Sequence, residues 1–161
     1  MRRTRFKDAT CPIARTTDLM GDWWTPMVMR EAFLGRRRFD EFQKALSVSR
    51  GVLAKRLSRL VDEGLLEKRA YEDRPPRFEY ILTEKGRAFY SVLAAMWRFG
   101  EDWLWEEGSE SPLQLFDRET GEPVAPRVVN ERTGVPIDVR QMRLGERRVG
   151  VSVRGRIAAG D

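Results

Sequence analysis

The sequence contains no histidine and a single cysteine, Cys11, among its 161 residues. One cysteine cannot close a disulfide within its own chain, and without histidine it cannot assemble a structural zinc site. The absence of histidine also excludes a histidine-based catalytic triad. No other nucleophile–base pair, metal cluster or phosphate-binding glycine loop is visible. We therefore expect a protein that is not an enzyme and that has no metal or other cofactor.

Long apolar stretches are missing as well. No run of about 18 apolar residues is present, which argues against a transmembrane helix. The basic residues at the N-terminus are not followed by an apolar stretch, so a secretory signal is not expected. A lone cysteine fits a reducing compartment. The sequence thus predicts a cytoplasmic protein with no membrane partner.

Charge is abundant but unevenly distributed along the chain, whose net charge is +5. Residues 30–59 carry nine basic groups against three acids, whereas residues 60–110 carry seven against twelve. A basic segment followed by an acidic one is typical of a protein with a one-sided phosphate-binding face. The alternative is a solvated surface with uneven charge.

The segment from Gly35 to Gly86 carries the most informative pattern. It predicts two helices, at 39–46 and 50–63, and then two strands, at 65–71 and 78–82. In the second helix Leu53, Leu57 and Leu60 recur at helical spacing, and Ser49 is a good N-cap. Residues 72–77 predict a turn, since proline cannot continue a strand ladder. Such an order indicates a winged helix-turn-helix, which places a helix in the DNA major groove with a hairpin beside it.

The fold class expected is therefore mainly α with a small β-wing (α+β), followed by a small β-rich appendage. We predict a flexible basic arm at 1–10, a DNA-binding and dimerisation domain at 11–109, a β-turn extension at 110–145 and a disordered tail at 146–161. Within the extension, two units of similar sequence, 117–124 and 130–137, each contain Thr-Gly and a proline. Both read as β-turn units.

A long last helix is predicted from a Thr83 cap to about residue 107. Its apolar stripe is wider than one small domain needs, so we expect it to pair with a second copy in a homodimer. Packing within one chain is the alternative. The residues expected at the dimer interface are Phe89, Val92, Met96, Phe99 and Trp103.

The candidate DNA contacts belong to the helix-turn-helix and the hairpin. The first turn of a recognition helix usually reaches base edges, which selects Ser49, Arg50, Ala54 and Lys55. Six arginines are candidates for phosphate or minor-groove contacts: Arg37, Arg38, Arg56, Arg59, Arg74 and Arg77. For any one arginine alone, a solvated side chain is the alternative.

Two features raise the possibility of an effector. Cys11 could react with its twin in a dimer, or with an oxidant or electrophile; alternatively it is a small buried residue. Five tryptophans could line a pocket for a small ligand, although core and interface positions are favoured: Trp23, Trp24, Trp97, Trp103 and Trp105.

The chain resembles the HxlR-type winged helix-turn-helix regulators from Cys11 to about Trp105. The motifs that carry this likeness are Cys11-Pro12-Ile13, Gly21-Asp22-x-Trp24-Thr25, Arg37-Arg38-Phe39-Asp40-Glu41-Phe42, Leu53-Ala54-x-Arg56-Leu57, Glu63-Gly64-Leu65-Leu66-Glu67 and Arg74-Pro75-Pro76-Arg77-Phe78-Glu79-Tyr80. The resemblance implies a homodimeric transcription factor that reads a palindromic operator. Some relatives respond to quinones, aldehydes or oxidants through the cysteine at the position of Cys11.

Departures from the family pattern qualify this expectation. Gly51 stands in the recognition helix where relatives often carry a polar side chain, and Trp23 stands where a polar residue is usual. Some longer relatives carry Cys-Gly pairs in the two tail units, where this chain has Thr120-Gly121 and Thr133-Gly134, so a metal in the tail is not expected. The competing function is a winged-helix module that binds protein and not DNA.

Overall fold

The computed structural model describes residues 6–138, 140 and 142–145, which form two compact units that divide between Tyr90 and Ser91. This division lies earlier in the chain than residue 109, where the predicted DNA-binding and dimerisation domain ends. Most of the last helix therefore belongs to the same unit as the extension. Residues 6–10 form a turn, and the rest of the predicted arm lies outside the described residues. The predicted tail at 146–161 also lies outside them.

Six helices and two strands follow one another in the described residues. They are α1 (Pro12–Met20), α2 (Trp24–Phe33), α3 (Phe39–Leu46), α4 (Arg50–Asp62), β1 (Leu66–Asp73), β2 (Pro76–Leu82), α5 (Glu84–Ala88) and α6 (Tyr90–Trp103). The helix-turn-helix pair α3–α4 and the hairpin β1–β2 confirm the predicted winged helix-turn-helix.

The core of the first unit forms around one side of α4. Leu53, Leu57 and Leu60 are each at most 1% exposed, and α4 packs against α2, α3 and β1. The Ser49 side chain accepts a hydrogen bond from the Val52 amide at 3.4 Å, so the predicted N-cap is confirmed. Burial of three leucines stabilises this position of α4 by several kcal/mol, at roughly 1.5–3 kcal/mol per side chain.

The hairpin is longer than predicted. β1 and β2 pair antiparallel from Leu66↔Leu82 to Asp73↔Pro76, so only Arg74 and Pro75 remain at the tip. The prediction that 72–77 would be a turn was wrong, because a proline that begins a strand beside a tight turn need not donate to the ladder.

The last helix is interrupted, contrary to the prediction of one helix from Thr83 to about residue 107. Thr83 caps α5 by accepting the Gly86 amide at 3.0 Å. At Phe89 the amide bonds to the Gly86 carbonyl at 3.1 Å, three residues back. The helical ladder of α5 ends in this tighter turn, Phe89 is buried, and α6 begins at Tyr90.

The extension contains the two predicted turn units, and their hydrogen bonding repeats. Each unit is closed by one isolated β-bridge, Phe116↔Pro123 in the first and Val129↔Pro136 in the second. In both, the glycine amide returns to the carbonyl of the first residue, at 3.0 Å for Gly121 and 2.8 Å for Gly134. The sequence repeat is therefore a repeat of local structure.

Two glycine substitutions should change stability in opposite directions. A Cβ at Gly86 would lie 2.0 Å from the Leu65 carbonyl oxygen, whereas at Gly51 it would meet nothing within 4 Å. We expect Gly86→Ala to destabilise the protein by about 2–3 kcal/mol through overpacking. Gly51→Ala should stabilise it by about 1 kcal/mol through helix propensity. Urea unfolding measures both, and equal effects would contradict this packing.

Candidate nucleic-acid interface

The side of α4 opposite its buried leucines is polar and open. The residues predicted to read bases, Ser49, Arg50, Ala54 and Lys55, are all exposed, as are Gly51 and Ser58. Small side chains alternate with long cations on this side. A helix with such a face can approach a groove closely while its cations reach outward.

Arg50 lies between the two helices of the helix-turn-helix. Its Nη1 is 3.3 Å from Asp40 Oδ1 and 3.2 Å from Gln43 Oε1, and its guanidinium lies 4.8 Å from the centre of the Phe39 ring. The Arg50 side chain nevertheless remains 70% exposed. An ion pair this exposed contributes little to stability, so it can exchange Asp40 for a new partner at small cost.

Arg56 and Arg59 do not join the exposed group. The Arg56 guanidinium pairs with the Asp22 carboxylate at 2.5 Å and its side chain is 27% exposed. Arg59 donates to the backbone carbonyl of Asp18. Both arginines therefore contact the corner between α1 and α2, although the sequence predicted that they would contact DNA.

Glu31, a buried carboxylate in α2, holds the first arginine of the run that leads into α3. Glu31 is 2% exposed and pairs with Arg30 and, at 3.1 Å, with Arg36. The Arg36 amide also donates to the Glu31 carbonyl at 3.1 Å. Because two cations compensate the buried charge, Arg36 is fixed in place and the next two arginines extend from a defined point.

Arg37 and Arg38 are exposed and attached to the hairpin. The Arg37 carbonyl accepts the Tyr80 amide at 2.8 Å, and Arg38 forms an isolated bridge with Glu79. The Arg38 guanidinium lies 4.8 Å from the centre of the Tyr71 ring. One backbone hydrogen bond and one isolated β-bridge therefore attach this segment to β2, a contact that the sequence pattern did not reveal.

Glu41 organises the start of α3. Its carboxylate accepts the amides of Arg37 at 2.9 Å and Arg38 at 3.0 Å. The hydrogen bond from the Arg38 amide, followed by that from Arg37, holds the pKa of Glu41 below its ordinary value of 4.5. The same carboxylate therefore caps α3 and fixes the backbone of the arginine segment.

The hairpin carries its cations along both strands. Arg74 is exposed at the tip, and Arg77 pairs with Glu72 at 3.3 Å while its side chain stays 58% exposed. Lys68 adds a further cation on β1, and its ammonium lies 4.1 Å from the centre of the Phe78 ring.

Cys11 is exposed and immediately precedes α1, a helix without buried residues. The alternative of a small buried cysteine is therefore wrong for the single chain. Two apolar side chains nearby in the sequence are also largely exposed, Ile13 at 76% and Trp23 at 79%.

The residues predicted for a dimer interface separate into two groups. Phe89 is buried, whereas Met96, Phe99 and Trp103 are exposed along α6. Within the second unit, α6 and residues 126–129 line an open groove of about 860 Å³. Val92, Phe99 and Trp103 all line this groove.

In the part of the chain that the structure describes, no group of three or more Cys, Asp or Glu residues could hold a metal ion. In the same residues, no helix combines the length and apolar character needed to cross a membrane.

The architecture is that of a winged helix-turn-helix protein. Residues 19–108 match the family of HxlR-like helix-turn-helix proteins, and the chain belongs to that family. It is 33% identical over 130 residues to the HTH-type transcriptional regulator Rv3095 of Mycobacterium tuberculosis, covering 81% of this chain and 82% of the relative. It is 40% identical over 104 residues to the HTH-type regulator sll1512 of Synechocystis sp., covering 64% of this chain and 77% of that protein.

Solved structures agree with the family assignment. PA1607, a candidate transcription factor, has a TM-score of 0.80 at 37% identity and covers 89% of this chain and 100% of its own, so the likeness extends into the extension that follows residue 109. The reduced redox regulator HypR has a TM-score of 0.53 at 30% identity, covering 57% of this chain and 92% of its own. Reduced YodB of B. subtilis has a TM-score of 0.52 at 27% identity, covering 62% and 99%. The chain is a helix-turn-helix transcriptional regulator.

The role of Glu41 predicts a pH dependence of stability. Because its pKa is lowered in the folded protein, its stabilising contribution is present above its ordinary pKa and is lost as pH falls through the lowered one. Glu41→Gln should therefore reduce the free energy of unfolding at neutral pH by about 0.5–1 kcal/mol. Urea unfolding across the acid range should show the two proteins converging at low pH. A constant difference would contradict this role.

Proposed function

We propose that the protein is a sequence-specific regulator that binds duplex DNA as a homodimer on a palindromic operator. The observation that carries the proposal is the exposed face of α4, where Ser49, Arg50, Ala54 and Lys55 are open while the leucines opposite are buried. Such a face is what major-groove readout requires. The proposal is also supported by the family match and by relatives that are named helix-turn-helix transcriptional regulators.

The phosphate contacts are assigned to the exposed cations. Arg37 and Arg38 extend from a segment fixed by Glu41 and by β2, and Arg74 and Arg77 lie at the end of the hairpin. Cations held on fixed backbone lose less freedom when they bind, which favours affinity. Arg56 and Arg59 are left out of this contact set, because their guanidinium groups are engaged within the protein.

A second copy is proposed to cover α6. Phe99 is 59% exposed and Trp103 is 74% exposed, and single chains seldom leave adjacent large apolar side chains open. Pairing across a two-fold axis would bury this stripe and present two copies of α4 to two half-sites.

Cys11 is the proposed sensor of an oxidant or electrophile. Its exposure permits reaction, and two redox regulators, HypR and YodB, have similar structures. The competing function remains a winged-helix module that binds protein. That function predicts that the protein shows no salt-dependent binding to duplex DNA. A DNA-binding regulator predicts an affinity that falls steeply with salt, because phosphate contacts release counterions.

Arg50→Ala should weaken binding to the operator about tenfold, with a smaller loss on random DNA, because a base contact distinguishes sequences. Footprinting of the DNA upstream of the gene first locates the operator, and binding to that segment is then measured by fluorescence anisotropy. Arg118→Ala in the extension is the control for the lost charge, since Arg118 is exposed in a turn. Equal losses on both DNAs would make Arg50 a phosphate contact.

Cys11→Ser should abolish the effect of diamide on operator binding, because serine cannot be oxidised to a disulfide. The measurement compares operator affinity with and without diamide, in the wild type and in the variant. An unchanged diamide response in Cys11→Ser would exclude Cys11 as the sensor.

A further inference from the structure

Two arginines of α4 fasten this helix to the corner between α1 and α2. Arg59 donates to the Asp18 carbonyl, 41 positions earlier in the chain, and Arg56 pairs with Asp22 at 2.5 Å. The side chains of Arg56 and Asp22 are 27% and 13% exposed. These two contacts, which we call the corner clasp, join α4 to a distant part of the sequence.

Gly21 makes room for the clasp. Its φ of 67° lies in the left-handed region, and a Cβ there would lie 2.2 Å from Arg59 Nη1 and 2.8 Å from Arg59 Cζ. Glycine is thus required both by the turn that ends α1 and by the guanidinium against it. The guanidinium is the far end of a flexible side chain, so a methyl group at Gly21 would displace it and leave the fold intact.

Asp22 links the corner to α2 as well as to α4. Its Oδ1 accepts the amide of Trp24 at 2.8 Å and that of Thr25 at 3.2 Å, which caps α2. Its Oδ2 faces Arg56. One carboxylate therefore fixes the start of α2 and the middle of α4 together.

We propose that Arg56 and Arg59 are positioning residues, through which the α1–α2 corner sets the position of the recognition helix. This inference rests on the proposed DNA binding. Arg56 is already paired with the Asp22 carboxylate, so a phosphate would have to displace that partner. Arg59 gives one of its N–H groups to the Asp18 carbonyl, which holds its guanidinium at the corner. A displacement of α1 is transmitted by the clasp to α4, and so to the DNA-facing side.

The test substitutes the corner and leaves the DNA-facing side untouched. Gly21→Ala should displace Arg59 and weaken operator binding about tenfold, with an unchanged slope of log affinity against log salt. Gly64→Ala is the matched control, because Gly64 has a similar φ of 71° but an added Cβ meets nothing within 4 Å. Both variants should still unfold in one cooperative thermal transition. Equal affinities in the two variants would overturn the proposal.

A double-mutant cycle tests whether Arg59 is the side chain through which Gly21→Ala acts. In an Arg59→Ala background the added methyl at Gly21 has nothing to displace, so Gly21→Ala should cost no more affinity than Gly64→Ala. Arg59→Ala alone should weaken binding without changing the salt slope, whereas loss of a phosphate contact would reduce the slope by about 0.9. Additive losses, or a reduced slope, would overturn the proposal.

Failure of DNA binding and failure of the clasp are distinguishable. If the wild-type protein shows no salt-dependent affinity for its upstream DNA, the proposed function is wrong. Hydrogen exchange of the free protein then tests the clasp directly: the α4 amides should exchange faster in Gly21→Ala than in Gly64→Ala. Equal exchange in the two variants would show that the corner does not hold α4.

Discussion

The burial of one side of α4 is the constraint on which the rest of the first unit depends. Leu53, Leu57 and Leu60 are almost fully enclosed, and no rotation of the helix could expose them without losing several kcal/mol. Since a helix has only one opposite side, burying the leucines determines that Ser49, Arg50, Ala54 and Lys55 face outward. The candidate DNA surface is a consequence of the core.

Acidic partners then sort the many arginines of the basic segment. Glu31 is buried between Arg30 and Arg36, and Asp22 holds Arg56, so these cations serve the fold. Arg50 has a partner as well, but in an exposed pair that water screens. The charge pattern alone counts all of these arginines equally, whereas burial of the acidic partner distinguishes the cations held within the fold from those whose ion pairs are open to solvent.

Much of the first unit was predictable because local signals agreed. The Ser49 cap and the leucine period of α4 each depend on residues a few positions apart, and both were confirmed. Two local predictions were wrong. Prolines near the hairpin tip did not prevent pairing, and an apolar period that ran through Phe89 concealed the turn between α5 and α6. In the second case Phe89 is buried between α5 and α6, and the spacing of apolar residues does not distinguish a buried residue at a turn from one inside a continuous helix.

The sequence by itself determined the winged helix-turn-helix, the outward side of α4 and the paired turn units of the extension. Only the tertiary structure decided which arginines are held within the fold, because Asp18 and Asp22 are far from Arg59 and Arg56 in sequence and meet them only after folding. The same holds for Arg38, whose neighbour Tyr71 comes from the hairpin. Helix periodicity reports which side a residue faces, but the partner that meets it there depends on contacts between distant segments.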